Sequence, residues 1–461
     1  MGAGKIVRVC GGYQKVKVLG KGVFGTVLEV SKPGESRSIA AKISKPEKAG
    51  GLIYITDSDL KEIDRLSRLH HPNVISLVSP PYISQTQTCV FMDLMPMTLE
   101  SLLSSGVPKR LILVNQLWTG LAYLHANFIV HCDIKPANIL IDSGGNPKIT
   151  DFGYSVILPA SNKTRRDVTI VSSWYRPPEL WLAGTKDSKG YYFGTEIDVY
   201  SMAWTVVEYL SQLGPPPMDV APGGIKISNV DVLVAMGVEL ESYSPQKVSD
   251  RDVFGVLVSS DEPERYFNAV YERTPPELRG LLPKLVECIT RLPKERPAAS
   301  DLASPSPHYL ITPNPQISMK YSSVYSKKCR KECIALLEER INRLTLPNQD
   351  EILLQSIDLM DRVFSVVPTT KDQVFSTIAC VLCLTLNMFS WFVEPSEKLF
   401  LDIVGYDLPV EQLQNKYISR YSEVISALKG RIFRPTLDYY HQVTTKEALT
   451  LAKKELSPSF Y

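Results

Sequence analysis

The segment His131–Ile141 reads HCDIKPANILI, and it sets a carboxylate, an ammonium and an amide close together as Asp133, Lys135 and Asn138, just before an apolar run. A second carboxylate, Asp151, follows an apolar stretch in ITDFG. Phosphoryl transfer asks a protein for little covalent chemistry. It asks for a divalent cation held against the phosphates, a carboxylate beside the attacking hydroxyl, and positive charge on the transferred group. Asp133 fits the carboxylate that positions the hydroxyl, and Lys135 the contact to the γ-phosphoryl. Asn138 and Asp151 offer hard oxygens that suit Mg²⁺.

Something must cover the phosphates. Residues 19–27 read LGKGVFGTV, with Gly20, Gly22 and Gly25 spaced as G-x-G-x-x-G. A dinucleotide fold would open a helix at these glycines. Thr26, Val27 and Val30 favour a strand instead. A strand–loop–strand can lie over a nucleotide because glycine carries no side chain to block the backbone's approach. Lys42 follows within the apolar run Ala40-Ala41. A buried lysine needs an anion, which is a phosphate or a carboxylate such as Glu62. Glu62 lies in DLKEIDRLSRLHHPNVI, where Leu60, Ile63, Leu66 and Leu69 mark a helix.

Taken together, these motifs resemble the eukaryotic protein kinases over about residues 12–310. The resemblance implies an α+β, bilobal fold, with a β-rich N-lobe over about 1–95 and a helical C-lobe over about 96–310. It implies ATP and Mg²⁺ as cofactors and proteins as substrates. Glu179 in WYRPPEL would pair with Arg296 in LPKERPAA, and Pro177 stands where the family has alanine. Asp198 resembles the buried aspartate that holds the catalytic loop from below. The D-x-K-P-x-N pattern around Lys135 is that of the serine/threonine class. Ser172 replaces the usual threonine that bridges Asp133 and Lys135. Adenine would lie between Leu19, Val27, Ala40 and Leu140, bonded to the backbone of Asp93 and Met95, with Met92 as gatekeeper. KEIDRLSRLHHPNVISL and WYRPPEL look most like cyclin-dependent kinases, and Arg176 matches an arginine of that wider group, which suggests a Ser/Thr-Pro preference.

Several positions depart from a regulated member of that group. The arginine before the catalytic aspartate is Cys132, and its two helpers map onto Lys61 and Val156. Lysine cannot copy guanidinium's bidentate grip on a phosphate. The phosphorylated threonine of the activation loop maps onto Asp167, a permanent carboxylate. The inhibitory Thr-Tyr pair of the glycine loop maps onto Val23-Phe24. The expectation is a kinase independent of an activating kinase, with phosphorylation of Thr164 or Thr169 as the rival. Loss of both switches suits an enzyme freed from host control, such as one encoded by a large virus. Cys132 also raises the alternative of a nucleotide-binding pseudokinase scaffold with a helical partner-binding domain, against which Lys42, Asp133, Asn138 and Asp151 all stand.

Beyond a Pro/Ser-rich linker expected at 311–325, the pattern from 326 to 461 is helical. Ile334, Leu337, Ile341 and Leu344 share one face, as do Leu353, Ile357, Met360 and Phe364. The order of these segments resembles a single cyclin box, an all-α domain. The resemblance departs near Leu386, where the family carries a lysine. Such a surface would press the Glu62 helix inward so that Lys42 and Glu62 pair. The cyclin-like domain would act in cis or in trans, with an external cyclin as the other route.

The 461 residues are 44% apolar and 22% charged with net charge +2, an ordinary globular composition with no footprint for nucleic acid or anionic membrane. No signal peptide is read at the start, and Ile6 argues against myristoylation at Gly2. Eight cysteines at mixed spacings suggest a reducing compartment, cytoplasmic or nuclear. Residues 373–393 carry no charge, yet Gln373, Ser376, Thr377, Thr385, Asn387 and Ser390 make a buried core helix the better reading than a membrane span. Cys380 and Cys383 belong to that core. Cys132, beside the catalytic aspartate, is the thiol singled out for reaction with an electrophile.

Overall fold

The computed structural model describes residues 9–22, 25–44, 47–49, 52–84, 87–158, 164–166, 171–177, 179–180, 191–214, 262–290, 292–303, 325–344, 346, 348–389, 417–432 and 445–454. Asp167, Thr169, Val23, Phe24 and all of the expected linker but Tyr325 lie outside them.

The N-terminal part is an antiparallel sheet of β1 (Gln14–Lys21), β2 (Gly25–Ser31), β3 (Ser38–Ser44), β7 (Thr88–Asp93) and β6 (Leu77–Ile83), in that order, with a small hairpin of β4 (Glu47–Ala49) and β5 (Leu52–Tyr54) beside it. Leu28, Val30, Ile39, Ala41 and Phe91 pack on one face with Tyr13. The register sets Lys42 opposite Val27 on one side and Val90 on the other. Gly25 is required here, because a Cβ would strike the Ile43 carbonyl oxygen. Cys10 and Cys89 are paired as a disulfide. Their separation of 79 residues gives no local signal, and the fold alone brings their Cα atoms to 6.7 Å.

Helix α1 (Asp57–Arg68) starts at Thr56, whose hydroxyl accepts the Asp59 N–H. Its apolar positions Leu60, Ile63 and Leu66 are buried as expected for an amphipathic helix, but so are Asp59, Lys61, Glu62, Asp64 and Arg65. The helical lobe follows as α2 (Leu99–Leu103), α3 (Leu111–Ala126), α4 (Glu196–Ser211), α5 (Glu262–Arg273), α6 (Leu282–Thr290) and α7 (Ala299–Leu302). Leu117, Leu121, Val206, Trp204 and Ile289 share its core.

The last part is helical in α8 (Lys327–Arg343), α9 (Gln349–Val366), α10 (Val374–Phe389), α11 (Ser419–Ala427) and α12 (Thr445–Lys454). From Ser376 to Met388 every residue of α10 is buried, so it is the centre of this bundle. Among the described residues no helix is long and apolar enough to cross a membrane. The bundle's apolar cluster also takes in Ile55, Leu60 and Ile157, so the bundle packs against α1 of its own chain, with α10 as the helix in contact. Asp64 and Arg65 are buried where the bundle meets α1, Asp64 accepting the Ile432 N–H and Arg65 lying against Met388, while Glu62 faces Lys42.

Candidate active site

Strand β3 presents Lys42 to two carboxylates. Its Nζ lies 2.7 Å from Glu62 Oε2 on α1 and 3.2 Å from Asp151 Oδ1. Burial by itself would strip the Lys42 proton, but Glu62 and Asp151 outweigh it and hold the ammonium above its usual range. Burial would likewise raise Asp151, yet the adjacent ammonium keeps that carboxyl below its ordinary value. The contact ties sheet, helix and catalytic segment together across a cleft of about 460 Å³. Leu19, Gly20, Gly22, Gly25, Val27, Ala40, Met92, Asp93, Met95 and Leu140 line this cleft with Lys42, Glu62, Asn138 and Asp151. Among the described residues, nothing lies within 4 Å of a Cβ added at Gly20 or Gly22.

The loop opposite is held by Asp198 at the start of α4. Its Oδ2 accepts the His131 N–H over 2.6 Å and its Oδ1 the Cys132 N–H over 2.9 Å. These bonds fix Cys132 at φ 64, an unfavourable region for a residue with a Cβ. His131 is the site residue that motif reading did not single out. Its Nδ1 accepts the Asp133 N–H and its Nε2 donates to the Thr150 carbonyl over 2.9 Å, which defines one neutral tautomer. Asp133 is therefore set by the same ring that braces the strand leading to Asp151.

Asp133, Lys135 and Ser172 form a closed triangle. Lys135 Nζ lies 2.8 Å from Asp133 Oδ2 and donates to Ser172 Oγ over 2.7 Å. The Ser172 hydroxyl donates to Asp133 Oδ1 over 2.6 Å. Asn138 turns its Nδ2 to Asp133 Oδ2 over 2.8 Å and to the Asp133 carbonyl, so its amide oxygen is the atom left for a cation. That oxygen and the Asp151 carboxylate make a hard-donor set suited to a divalent ion beside phosphates.

Below this triangle the segment ends in a buried ion pair. Arg296 reaches Glu179 through both ends of its guanidinium, at 2.5 and 2.8 Å. Val171 stands at φ 70, and its carbonyl accepts from Arg176 Nε at 3.1 Å and Nη2 at 2.8 Å.

The structure corrects one reading. Cys132 is fully buried, packed with Val130, Val156, Leu158 and Phe193, so no electrophile meets it on an open surface. Of its expected phosphate-binding helpers, Lys61 and Val156 are both buried. Asp59, one turn before Glu62, was not anticipated. Burial raises its carboxyl to about 7, and its oxygen accepts from the Thr56 hydroxyl at 2.8 Å.

Comparison with known proteins agrees with this geometry. The protein kinase domain model matches residues 13–305, more than half of the chain. A serine/threonine-protein kinase ssn3 from Aspergillus terreus is 32% identical over 223 residues, 44% of this chain and 49% of that protein. The CTD kinase subunit alpha of Saccharomyces cerevisiae is 32% identical over 209 residues, 43% of this chain and 37% of that protein. A Chaetomium globosum SSN3 kinase is 32% identical over 228 residues, 46% of this chain and 43% of that protein. The chain spans about half the length of these curated relatives, or less. All three are fungal and lend no support to a viral origin. A glycine-loop sheet, a lysine–glutamate contact into the cleft and the braced Asp133 thus coincide with the matched segment, and the chain belongs to the protein kinase domain family.

Proposed function

We propose that the chain is a serine/threonine protein kinase of cyclin-dependent-kinase-like type that transfers the γ-phosphate of ATP to proteins. The Lys42–Glu62–Asp151 contact carries the reading, because it aims an ammonium and a carboxylate into the cleft while Asp133 and Lys135 face the reacting end. Mg²⁺ held by Asn138 and Asp151 would supply charge neutralisation at the phosphates. Asp133 would accept a hydrogen bond from the substrate hydroxyl and orient it, and Lys135 would hold the transferred group. Leu19, Val27, Ala40 and Leu140 would enclose the adenine, with Met92 behind it and the backbone of Asp93 and Met95 as its hydrogen-bonding edge. Wild-type protein should phosphorylate a generic serine/threonine substrate with Mg·ATP, and Asp151→Asn should lower the rate by several orders of magnitude. Equal rates for the two would favour the pseudokinase scaffold.

The kinase domain would occupy 1–310, and the helices from 326 to 461 would form a cyclin-like activator working in cis. Packing of α10 and the 430–432 segment on α1 supports this, since it bears on the helix that carries Glu62. Residues 1–315 alone should be weakly active and should recover when residues 316–461 are added back. A chain acting only as a head-to-tail dimer would instead lose specific activity on dilution.

Activity should also be independent of activation-loop phosphorylation. Cys132 and Val156 are apolar and buried where guanidinium groups would be needed. Phosphatase-treated protein should keep its rate. Stoichiometric phosphate on Thr164 or Thr169, with activity lost on its removal, would overturn this.

A further inference from the structure

A second cavity, of about 480 Å³, opens where the loop leading into α3 meets the C-terminal ends of α4 and α5. Its walls are Val107, Pro108, Leu210 and Pro275, together with the cations Lys109 and Arg273. No acidic residue is among its described lining. The Lys109 ammonium is shielded from solvent and makes no hydrogen bond within the described structure. It rests over the ring of Tyr209 at 5.0 Å. That ring is fixed, since Tyr209 is buried and its hydroxyl accepts the Arg110 N–H over 2.8 Å.

A buried ammonium is costly unless a counter-ion or acceptor meets it. An aromatic face offsets only part of that cost. Burial pushes the Lys109 ammonium below its usual range, with no carboxylate opposing the shift. The two helix ends bring partial negative charge, yet no helix carbonyl accepts from Lys109. A simple charge-balancing role would close such contacts. The Lys109 ammonium instead stands without an acceptor at the cavity wall.

We propose that this cavity binds a phosphoryl group carried on a phosphorylated serine or threonine of a protein partner. A phosphoryl group bears about −1.5 to −2 charge at neutral pH and several acceptor oxygens, which matches the unpaired Lys109 ammonium and the exposed Arg273 guanidinium beside it. The apolar walls would cover the residues flanking the phosphorylated side chain, a surface that free phosphate does not use. The site lies outside the nucleotide cleft, so it stands or falls separately from the kinase assignment.

Fluorescence anisotropy tests it with a labelled, phosphothreonine-centred peptide mixture of degenerate flanks and the full chain, in the absence of nucleotide. Phosphorylated peptide should bind at least about tenfold more tightly than its unphosphorylated counterpart, and the Lys109→Ala/Arg273→Ala variant should lose about tenfold. Phosphorylation of a generic unphosphorylated substrate by that variant should be unchanged. Should the double variant melt early, Lys109→Gln alone carries the comparison. Equal binding by wild type and variant, equal binding of the unphosphorylated peptide, or displacement by inorganic phosphate at the peptide's own Kd would each overturn the proposal.

Discussion

Arg431 donates from Nε to the Ser67 carbonyl over 3.0 Å, fastening the last part of the chain to the end of the helix that carries Glu62. The next residue repeats the link, as the Ile432 N–H donates to Asp64 Oδ1 over 2.9 Å. From the other side, Arg362 on α9 donates to the carbonyls of Arg431 and Ile432. Gly430 makes the approach possible. It stands at φ 77 and abuts Ile63, where a Cβ would clash. Residues 430–432 thus form a clasp between the bundle and α1.

Arg431→Ala removes one arm of that clasp and leaves the backbone carbonyl that Arg362 binds. A hydrogen bond from a charged donor is worth about 1.5–3 kcal/mol. If the clasp sets the population in which Lys42 and Glu62 meet, the rate should fall roughly tenfold with the fold intact. Hydrogen exchange over 57–68 should rise in parallel. Unchanged exchange and rate would mean that the helix needs no such support.

Ser172 closes the triangle with Asp133 and Lys135, donating to the Asp133 carboxylate and accepting from Lys135. Ser172→Ala leaves Asp133 and Lys135 bonded directly but loosens both. We expect kcat to drop about tenfold or more with KM for ATP little changed. Ser172→Thr should restore the rate, because the hydroxyl returns to the same place. Failure of threonine to rescue would show that size at this position matters more than the bond.

Asp59 sets a pH dependence of stability. Its folded-state value of about 7 stands above the ordinary carboxylate value because burial disfavours the charged form. A raised acid binds more protons folded than unfolded, so stability falls as pH rises from near 4 to near 7, by at most about 4 kcal/mol. Asp59→Asn keeps the shape and removes the titration. Melting temperatures over this range should decline for wild type and run flatter for the variant. Parallel curves would assign the trend to other groups.

The motifs were legible because their residues lie close in sequence and their types state their chemistry. Asp133, Lys135 and Asn138 need only a tight loop, and the match of Lys42 to Glu62 follows from the cost of burying a lone cation. The clasp was not legible. Asp64 and Ile432 are separated by 368 positions, and neither residue type suggests the other. The disulfide and the burial of Cys132 were hidden for the same reason. Asp64 and Arg65 are charged residue types whose burial depends on a second body, and no local pattern announces that cover.

On the proposed kinase reading, Arg176 and Val171 together would bear on which residue follows the phosphorylated serine or threonine. Val171 adjoins Ser172, whose hydroxyl donates to Asp133, so on the proposed kinase reading its backbone would lie beside the substrate's next residue. A valine in the left-handed region is disfavoured, and the structure sustains it by clamping the Val171 carbonyl with Arg176. With that carbonyl occupied, a substrate N–H at this point finds no acceptor there. Proline has no N–H to lose, so it should be preferred. Arg176→Ala releases the carbonyl. The ratio of kcat/KM for a Ser-Pro peptide over its Ser-Ala counterpart should then fall by about tenfold, the value of a satisfied backbone donor. A ratio that holds in the variant would place the preference in side-chain packing around the proline ring instead.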